Sequence, residues 1–201
     1  MHTLIIVESP HKARSVAQYA RGLFPGKTVV RSCLGHLRDL PPGKLGVVVE
    51  EHFRPQYERR RGRGKTVSYL RREIVKADQV LLATDPDREG EAVAWHLTKV
   101  FEDELAGKQV ARAPFNAVTR KAVRKALSHP RPLDKKKVKA AVARRVMDRL
   151  IGYTVSPRLW AAVEGQDLSA GRVQSVALRL LIRAVDQAQA QGERWNVEVE
   201  L

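Results

Sequence analysis

Cysteine is nearly absent from this 201-residue chain, with Cys33 the one thiol. That excludes an internal disulfide framework and a Cys-rich zinc site, and it suits a reducing cytosol. Aromatic residues are few, at 5%, so any stacking on rings rests on a handful of side chains. Long apolar runs are missing; none approaches the roughly 18 residues of a membrane span. The first residues lack the basic, apolar, small-residue order of a secretory signal. Acids are the minority charge, 22 against 37 Lys and Arg, for a net charge of +15. An acidic partner follows, and nucleic acid is the first choice. A hydrophobic fraction of 43% is near the globular average, enough for a real core.

The charge is uneven. Residues 54–72 hold eight cations and the single acid Glu58, and residues 120–149 hold twelve cations against Asp134 and Asp148. A lone run of this kind is most simply a solvated face. Two runs in an otherwise near-neutral chain point to phosphate binding. Anionic lipid would require bulky apolar residues opposite the charge. The second run has mostly Ala and Val there, and no membrane association is expected.

Leu4-Ile5-Ile6-Val7 reads as a strand buried on both faces. A helix follows over 12–23, a strand over 28–33, and Gly- and Pro-rich loop over 35–46. The basic stretch 54–65 has no apolar period and reads as mobile loop. Helices are expected over 67–76 and 89–101, with strands at 79–83 and 109–113. From 119 onward the pattern is helical: Val138, Val142, Val146 and Leu150 recur every four residues. Pro157 is expected to interrupt, leaving a short helix over 157–163 and another over 170–189. The class is α/β, an open and mostly parallel sheet flanked by helices over 1–118, then a smaller all-α domain over 119–192. Trp195, Val197, Val199 and Leu201 alternate with polar residues. This is the period of a half-buried strand, read as the start of a further domain over 193–201 or as an edge strand of the same sheet.

Chemistry concentrates in Asp85-Pro86-Asp87-Arg88-Glu89-Gly90-Glu91, directly after the apolar run 80–83. Ligands of open α/β sheets bind outside the carboxyl ends of strands. Acids at 85, 87 and 89 alternate and point to one side of an extended backbone that Pro86 stiffens. Carboxylates packed this closely raise each other's pKa. A hard divalent cation such as Mg²⁺ removes the conflict, and oxygen-only ligands select it. The plainer reading is helix N-terminal decoration, since acids suit the first turn. Glu8 lies just beyond the first strand, followed by Lys12. If the strands over 4–7 and 79–83 are neighbours, Glu8, Lys12 and the acid cluster share one crevice. Glu8 then serves as general acid or base, and Lys12 holds a phosphate.

Three segments resemble the TOPRIM domain of type IA DNA topoisomerases: Ile6-Val7-Glu8-Ser9-Pro10 with Lys12, Gly35-His36-Leu37-Arg38-Asp39-Leu40-Pro41, and Ala83-Thr84-Asp85-Pro86-Asp87-Arg88-Glu89-Gly90-Glu91-Ala92. The resemblance continues through Phe115-Asn116, through Arg144-Arg145-Val146-Met147-Asp148-Arg149-Leu150-Ile151-Gly152-Tyr153 with Ser156-Pro157, and through Leu168-Ser169-Ala170-Gly171-Arg172-Val173-Gln174-Ser175. It implies a TOPRIM fold and Mg²⁺ held at Asp85, Asp87 and Glu89, with Glu8 beside them. It implies a catalytic set of Glu8, Lys12, Asp85, Asp87 and Glu89. A groove for single-stranded DNA is implied at Arg144, Arg145, Asp148, Arg149, Tyr153, Ser169, Arg172 and Gln174, with His36 orienting a group near the site. A cytoplasmic, nucleoid-associated protein would suit this reading.

The departures are specific. The family's nucleophile is a tyrosine in a later segment, and none of Tyr19, Tyr57, Tyr69 and Tyr153 has that context. Position 117 is Ala where an acid is usual, and 183–192 lacks the usual Glu/Arg pattern. The resemblance therefore implies the N-terminal portion of an enzyme that breaks and rejoins single DNA strands and relaxes negative supercoils. Its tyrosine comes from elsewhere, in a remainder of the enzyme or a partner chain. A non-catalytic single-strand-binding module or regulator, and a metal-dependent nuclease using the same acids, remain open.

Overall fold

In the computed structural model, residues 1–163 and 168–190 are described. They form two compact units, Met1–Arg145 and a second one beginning at Val146.

In the first unit, strand β1 (His2–Val7) lies between β2 (Lys27–Ser32) and β7 (Gln79–Leu82), and β8 (Gln109–Arg112) extends the sheet beyond β7. All three pairings are parallel. The continuous apolar run of β1 is explained by cover on both faces, because successive side chains alternate between faces. Leu4, Ile6, Val80 and Leu82 enter one core; Ile5, Val7, Leu81 and Ala83 enter the other. Helices α2 (Gly64–Lys76) and α3 (Arg88–Val100) cover the first face through Leu70, Ile74, Val93 and Leu97. Helices α1 (Pro10–Tyr19) and α5 (Arg120–Ser128) cover the second through Val16, Val123 and Leu127. Truncating one of these fully buried side chains to Ala would cost about 2–5 kcal/mol.

From β1 the chain first moves to one edge at β2, then returns to β7 on the other side of β1. The strand order reverses there, and such a reversal opens a crevice beyond the carboxyl ends of the two strands. Short elements fill the connections: α4 (Glu102–Leu105), and two antiparallel ladders of two residues each. One ladder pairs β3 (Arg38–Asp39) with β6 (Glu58–Arg59), the other β4 (Val47–Val48) with β5 (Arg54–Pro55).

Two readings are corrected. The stretch 54–65 is not featureless loop, since it carries β5 and β6. These ladders are too short to leave a period in the sequence. Pro157 does not end a helix: α6 runs unbroken over Lys135–Ala162 with Pro157 inside it. A proline removes one backbone donor, and a 28-residue helix keeps its remaining ladder on both sides. Residues 119–145 stay within the first compact unit, where α5 packs into its core and Arg124 donates to the Tyr19 and Arg21 carbonyls at 3.2 and 3.1 Å. The segment 193–201, read as a terminal strand, lies outside the described residues.

Candidate functional site

The residues at the tip of β1 explain their own geometry. Ser9 caps α1, its hydroxyl accepting the Lys12 backbone N–H at 3.3 Å, and Pro10 takes the first helical position. This turn sets Lys12 in the first turn of α1, with its ammonium on the Asp85 carboxylate. Glu8, one residue past β1, accepts the Asp85 backbone N–H at 3.0 Å. The expectation that Glu8 and the cluster after β7 share one crevice holds.

The Glu8 carboxyl is raised above the ordinary carboxylate range. Burial is the main cause, and the like charges of Asp85 and Asp87 add to it against the pull of the Asp85 N–H and Lys12. Cys33, buried behind β2, is pushed up to about 12 by burial. It stays a thiol and offers no nucleophile.

The three alternating acids do not share one extended stretch. Asp87 has extended backbone and caps α3, its carboxylate accepting the Gly90 N–H at 2.7 Å, so Arg88 already begins the helix. Glu89 lies in the first helical turn, where the period changes from 2 to 3.6 and turns its side chain away. It lines a pocket of about 250 Å³ with His36, Asp39, Tyr57, His96 and Arg145. Gly90 lets the helix sit this close. A Cβ there would come within 2.3 Å of the Asp85 carbonyl oxygen, and Thr84 donates its hydroxyl to the Gly90 carbonyl at 2.6 Å.

Among the described residues, no three or more His, Cys, Asp or Glu side chains are grouped to hold a metal ion. The donor chemistry at Asp85 and Asp87 still fits Mg²⁺. That ion needs only one or two carboxylates, because waters and substrate phosphates complete its shell.

What holds the acid-bearing loop was not read from the sequence. Arg112, at the end of β8, is fully buried. It donates to the carbonyls of Leu82, Thr84 and Asp85 and to the Glu91 carboxylate, the last at 3.1 Å. Glu91, also buried, accepts from Arg131 at 2.9 Å and from the Asp134 N–H at 2.6 Å. Burial raises the Glu91 pKa, but the Arg131 and Asp134 hydrogen bonds and Arg112 outweigh it and hold the group below the ordinary range. Lys137 adds a bond to the Pro86 carbonyl at 2.8 Å. The available signal was a charged residue closing the apolar strand 109–113, since buried arginine is rare unless paired.

The pocket beside Glu89 has a stacked wall. The Arg38 guanidinium lies 4.7 Å from the Trp95 ring centre and 5.1 Å from that of Tyr57, and it donates to His96 Nδ1 at 2.7 Å. Burial, with the Arg38 charge, lowers the His96 pKa to about 3, so the ring is neutral. His36 stands edge-on to His96 at 5.5 Å, and burial lowers its pKa as well. Arg145, expected in a DNA groove, forms a bidentate pair with Asp39 at 2.9 and 2.8 Å. That pair and hydrogen bond hold Asp39 below its usual range despite the opposing burial.

In the second unit Arg172, at the start of α7 (Arg172–Ala190), donates to Asp148 at 3.0 Å. Arg149 lies over the Tyr153 ring at 5.3 Å. Tyr153 is exposed rather than packed in a core. Ser169 and Gln174 are exposed, and Arg144, in the first unit, is half-buried. Ser156 accepts the Ala170 N–H at 3.0 Å, joining α6 to the turn before α7.

Residues 3–118 match the model of the Toprim domain. The chain belongs to the Toprim family. Residues 132–201 match a second model, described as DNA topoisomerase. Full-length topoisomerase I from Thermotoga maritima has a similar structure, with a TM-score of 0.76 and 41% identity over 88% of this chain. The chain spans 29% of that protein's length. These matches support the N-terminal region of a type IA topoisomerase, as the motifs implied. Among the described residues no helix is long and apolar enough to cross a membrane.

Proposed function

We propose that this chain is the TOPRIM-bearing portion of an enzyme that breaks and rejoins single DNA strands with Mg²⁺, relaxing negatively supercoiled DNA among the nucleoid in the cytoplasm. The observation that carries this reading is the meeting of Glu8, Lys12 and Asp85 at the tips of two neighbouring parallel strands. Asp85 and Asp87 would hold the metal, which when bound supplies charge stabilisation at the phosphate. Lys12, whose ammonium now lies on Asp85, would bind a non-bridging phosphate oxygen. Glu8 would hold a proton for the oxygen that leaves phosphorus as a tyrosine oxygen bonds to it, and take it back on rejoining. The bond energy is kept in the phosphotyrosyl link, so no external energy source is needed. The tyrosine comes from a segment outside these 201 residues, in a remainder of the enzyme or a partner chain.

Tyr153, exposed beneath Arg149, would stack on a base, and Arg172 would bind a phosphate, with Asp148 orienting it. Ser169 and Gln174 add neutral donors, and Arg144 a further charge. Arg145 and His36 would act from the pocket beside Glu89.

The test is complementation. The chain alone should bind single strands without relaxing a negatively supercoiled plasmid. Mixed with a separately expressed tyrosine-bearing remainder of a type IA enzyme, it should give Mg²⁺-dependent cleavage of a single-stranded oligonucleotide, lost in Asp85→Asn. Binding without cleavage in every mixture would replace this reading with a non-catalytic single-strand module.

A further inference from the structure

The arginines of 54–65 have no part in the site described so far. Arg59, Arg60 and Arg61 are exposed, and among the described residues no acid is paired with any of them, whereas Arg54 is paired with Glu51. Across the ladder of β3 and β6, Arg59 stands directly opposite Arg38. Like charges opposite one another destabilise a strand pair, so folding alone does not favour arginine here.

The segment is fastened to the site. The Arg60 N–H donates to the Leu37 carbonyl at 2.9 Å, beside His36. The Arg60 charge reaches the His36 ring and the Arg63 charge reaches Cys33. Cys33 follows β2, and its N–H donates to the Val7 carbonyl at 2.9 Å, one residue before Glu8. A row of unpaired cations thus adjoins the loop that borders the acids.

An aromatic precedes the segment, at the residue before β5. Phe53 is half exposed and sits at φ 60°, next to His52 at φ 54°. The left-handed region is unfavourable for a bulky side chain, and here it coincides with a ring offered to solvent. Unpaired bases stack on such rings, and a duplex keeps its bases stacked on each other.

We propose that Phe53 and Arg59–Arg61 form a second binding site for single-stranded DNA, which holds the phosphates of the strand flanking the acid crevice. This rests on the reading that the chain acts on DNA, and it adds residues outside the groove of the second unit. Each neutralised phosphate of a single strand contributes about −0.7 to the slope of log K against log salt, so replacing three contacts flattens that slope by about 2.

The experiment titrates the full chain with a labelled single-stranded oligonucleotide of mixed sequence over a range of salt. Arg59→Ser/Arg60→Ser/Arg61→Ser should raise the dissociation constant about tenfold or more at low salt and flatten the slope. The matching triple Lys variant keeps the charge and should keep the slope, separating lost contacts from damaged folding. Phe53→Ala should weaken binding severalfold at unchanged slope. An unchanged slope in the triple Ser variant overturns the site. Loss confined to a duplex probe, or unchanged affinity in Phe53→Ala, overturns its assignment to single strands. Arg172→Ala, run in parallel, reports on the groove alone. If it weakens binding while the triple Ser variant does not, the new site fails and the proposed function stands. The reverse pattern keeps the new site and removes the groove.

Discussion

The acid-bearing loop after β7 and the arginine ribbon of 54–65 are held in opposite ways. The loop rests on a buried guanidinium that donates to two of its carbonyls and to the Leu82 carbonyl at the end of β7, and on a buried carboxylate with three donors. The ribbon rests on ladders two residues long, and its arginines are solvated. On the proposed function the difference follows from the task. Carboxylates that meet a phosphate must stand at fixed positions, and fixing them requires dry, fully paired support. Cations that hold a flexible strand need charge density, which tolerates motion.

The sharpest way to break this comparison is to remove the brace. Arg112→Ala would leave the Glu91 charge buried with one fewer partner, and the Leu82, Thr84 and Asp85 carbonyls without this donor. Denaturant unfolding should show a loss of about 3–5 kcal/mol. A loss below about 1 kcal/mol would mean that the buried pair does not hold the loop. The same substitution at exposed Arg61 should leave unfolding within about 0.5 kcal/mol of the parent.

Acid provides a gentler probe. His96 is ordinary at about 6.5 when unfolded and sits at about 3 in the fold. Between these values the unfolded chain binds the extra proton, so its contribution to stability is intact above about 6.5 and lost as pH falls toward 3. Asp39 and Glu91, both held below their usual values, add their own losses lower in the same descent. In His96→Gln the fall beginning near pH 6.5 should flatten while the parts from His36, also lowered by burial, and from the carboxylates remain. Identical pH profiles for parent and variant would show that His96 does not stay neutral beside Arg38.

The smallest effect is expected in the second unit. Arg172→Ala should weaken single-strand binding by about 1–2 kcal/mol if its guanidinium makes a charge-assisted phosphate contact. Equal affinities of parent and variant would take Arg172 out of the groove.

Much of the fold was legible because its signals are local. Leu4-Ile5-Ile6-Val7 reads as a strand covered on both faces, and Glu8 and Asp85 each stand just past such a run. The two-residue ladders and the four-residue helix α4 left no period to read. The passage of α6 through Pro157 ran against a local rule that a long helix overrides. Asp85 and Asp87 could be named as candidates from the sequence, but the side to which Glu89 turns depended on where α3 begins, and the Asp87 cap decided that.

The order of apolar runs and turn residues determined by itself that buried strands would form with acids at two of their tips, because burial and backbone period depend on near neighbours in the chain; that those two strands are neighbours was decided by the fold. Partner choice belonged to the tertiary structure. That Arg112 would meet Glu91, that Arg145 would close on Asp39 rather than stand free, and that Arg38 would stack against Trp95 and Tyr57 all join residues far apart in sequence. Charge and aromatic character name the groups able to pair, but only the packed fold sets which of them come within reach.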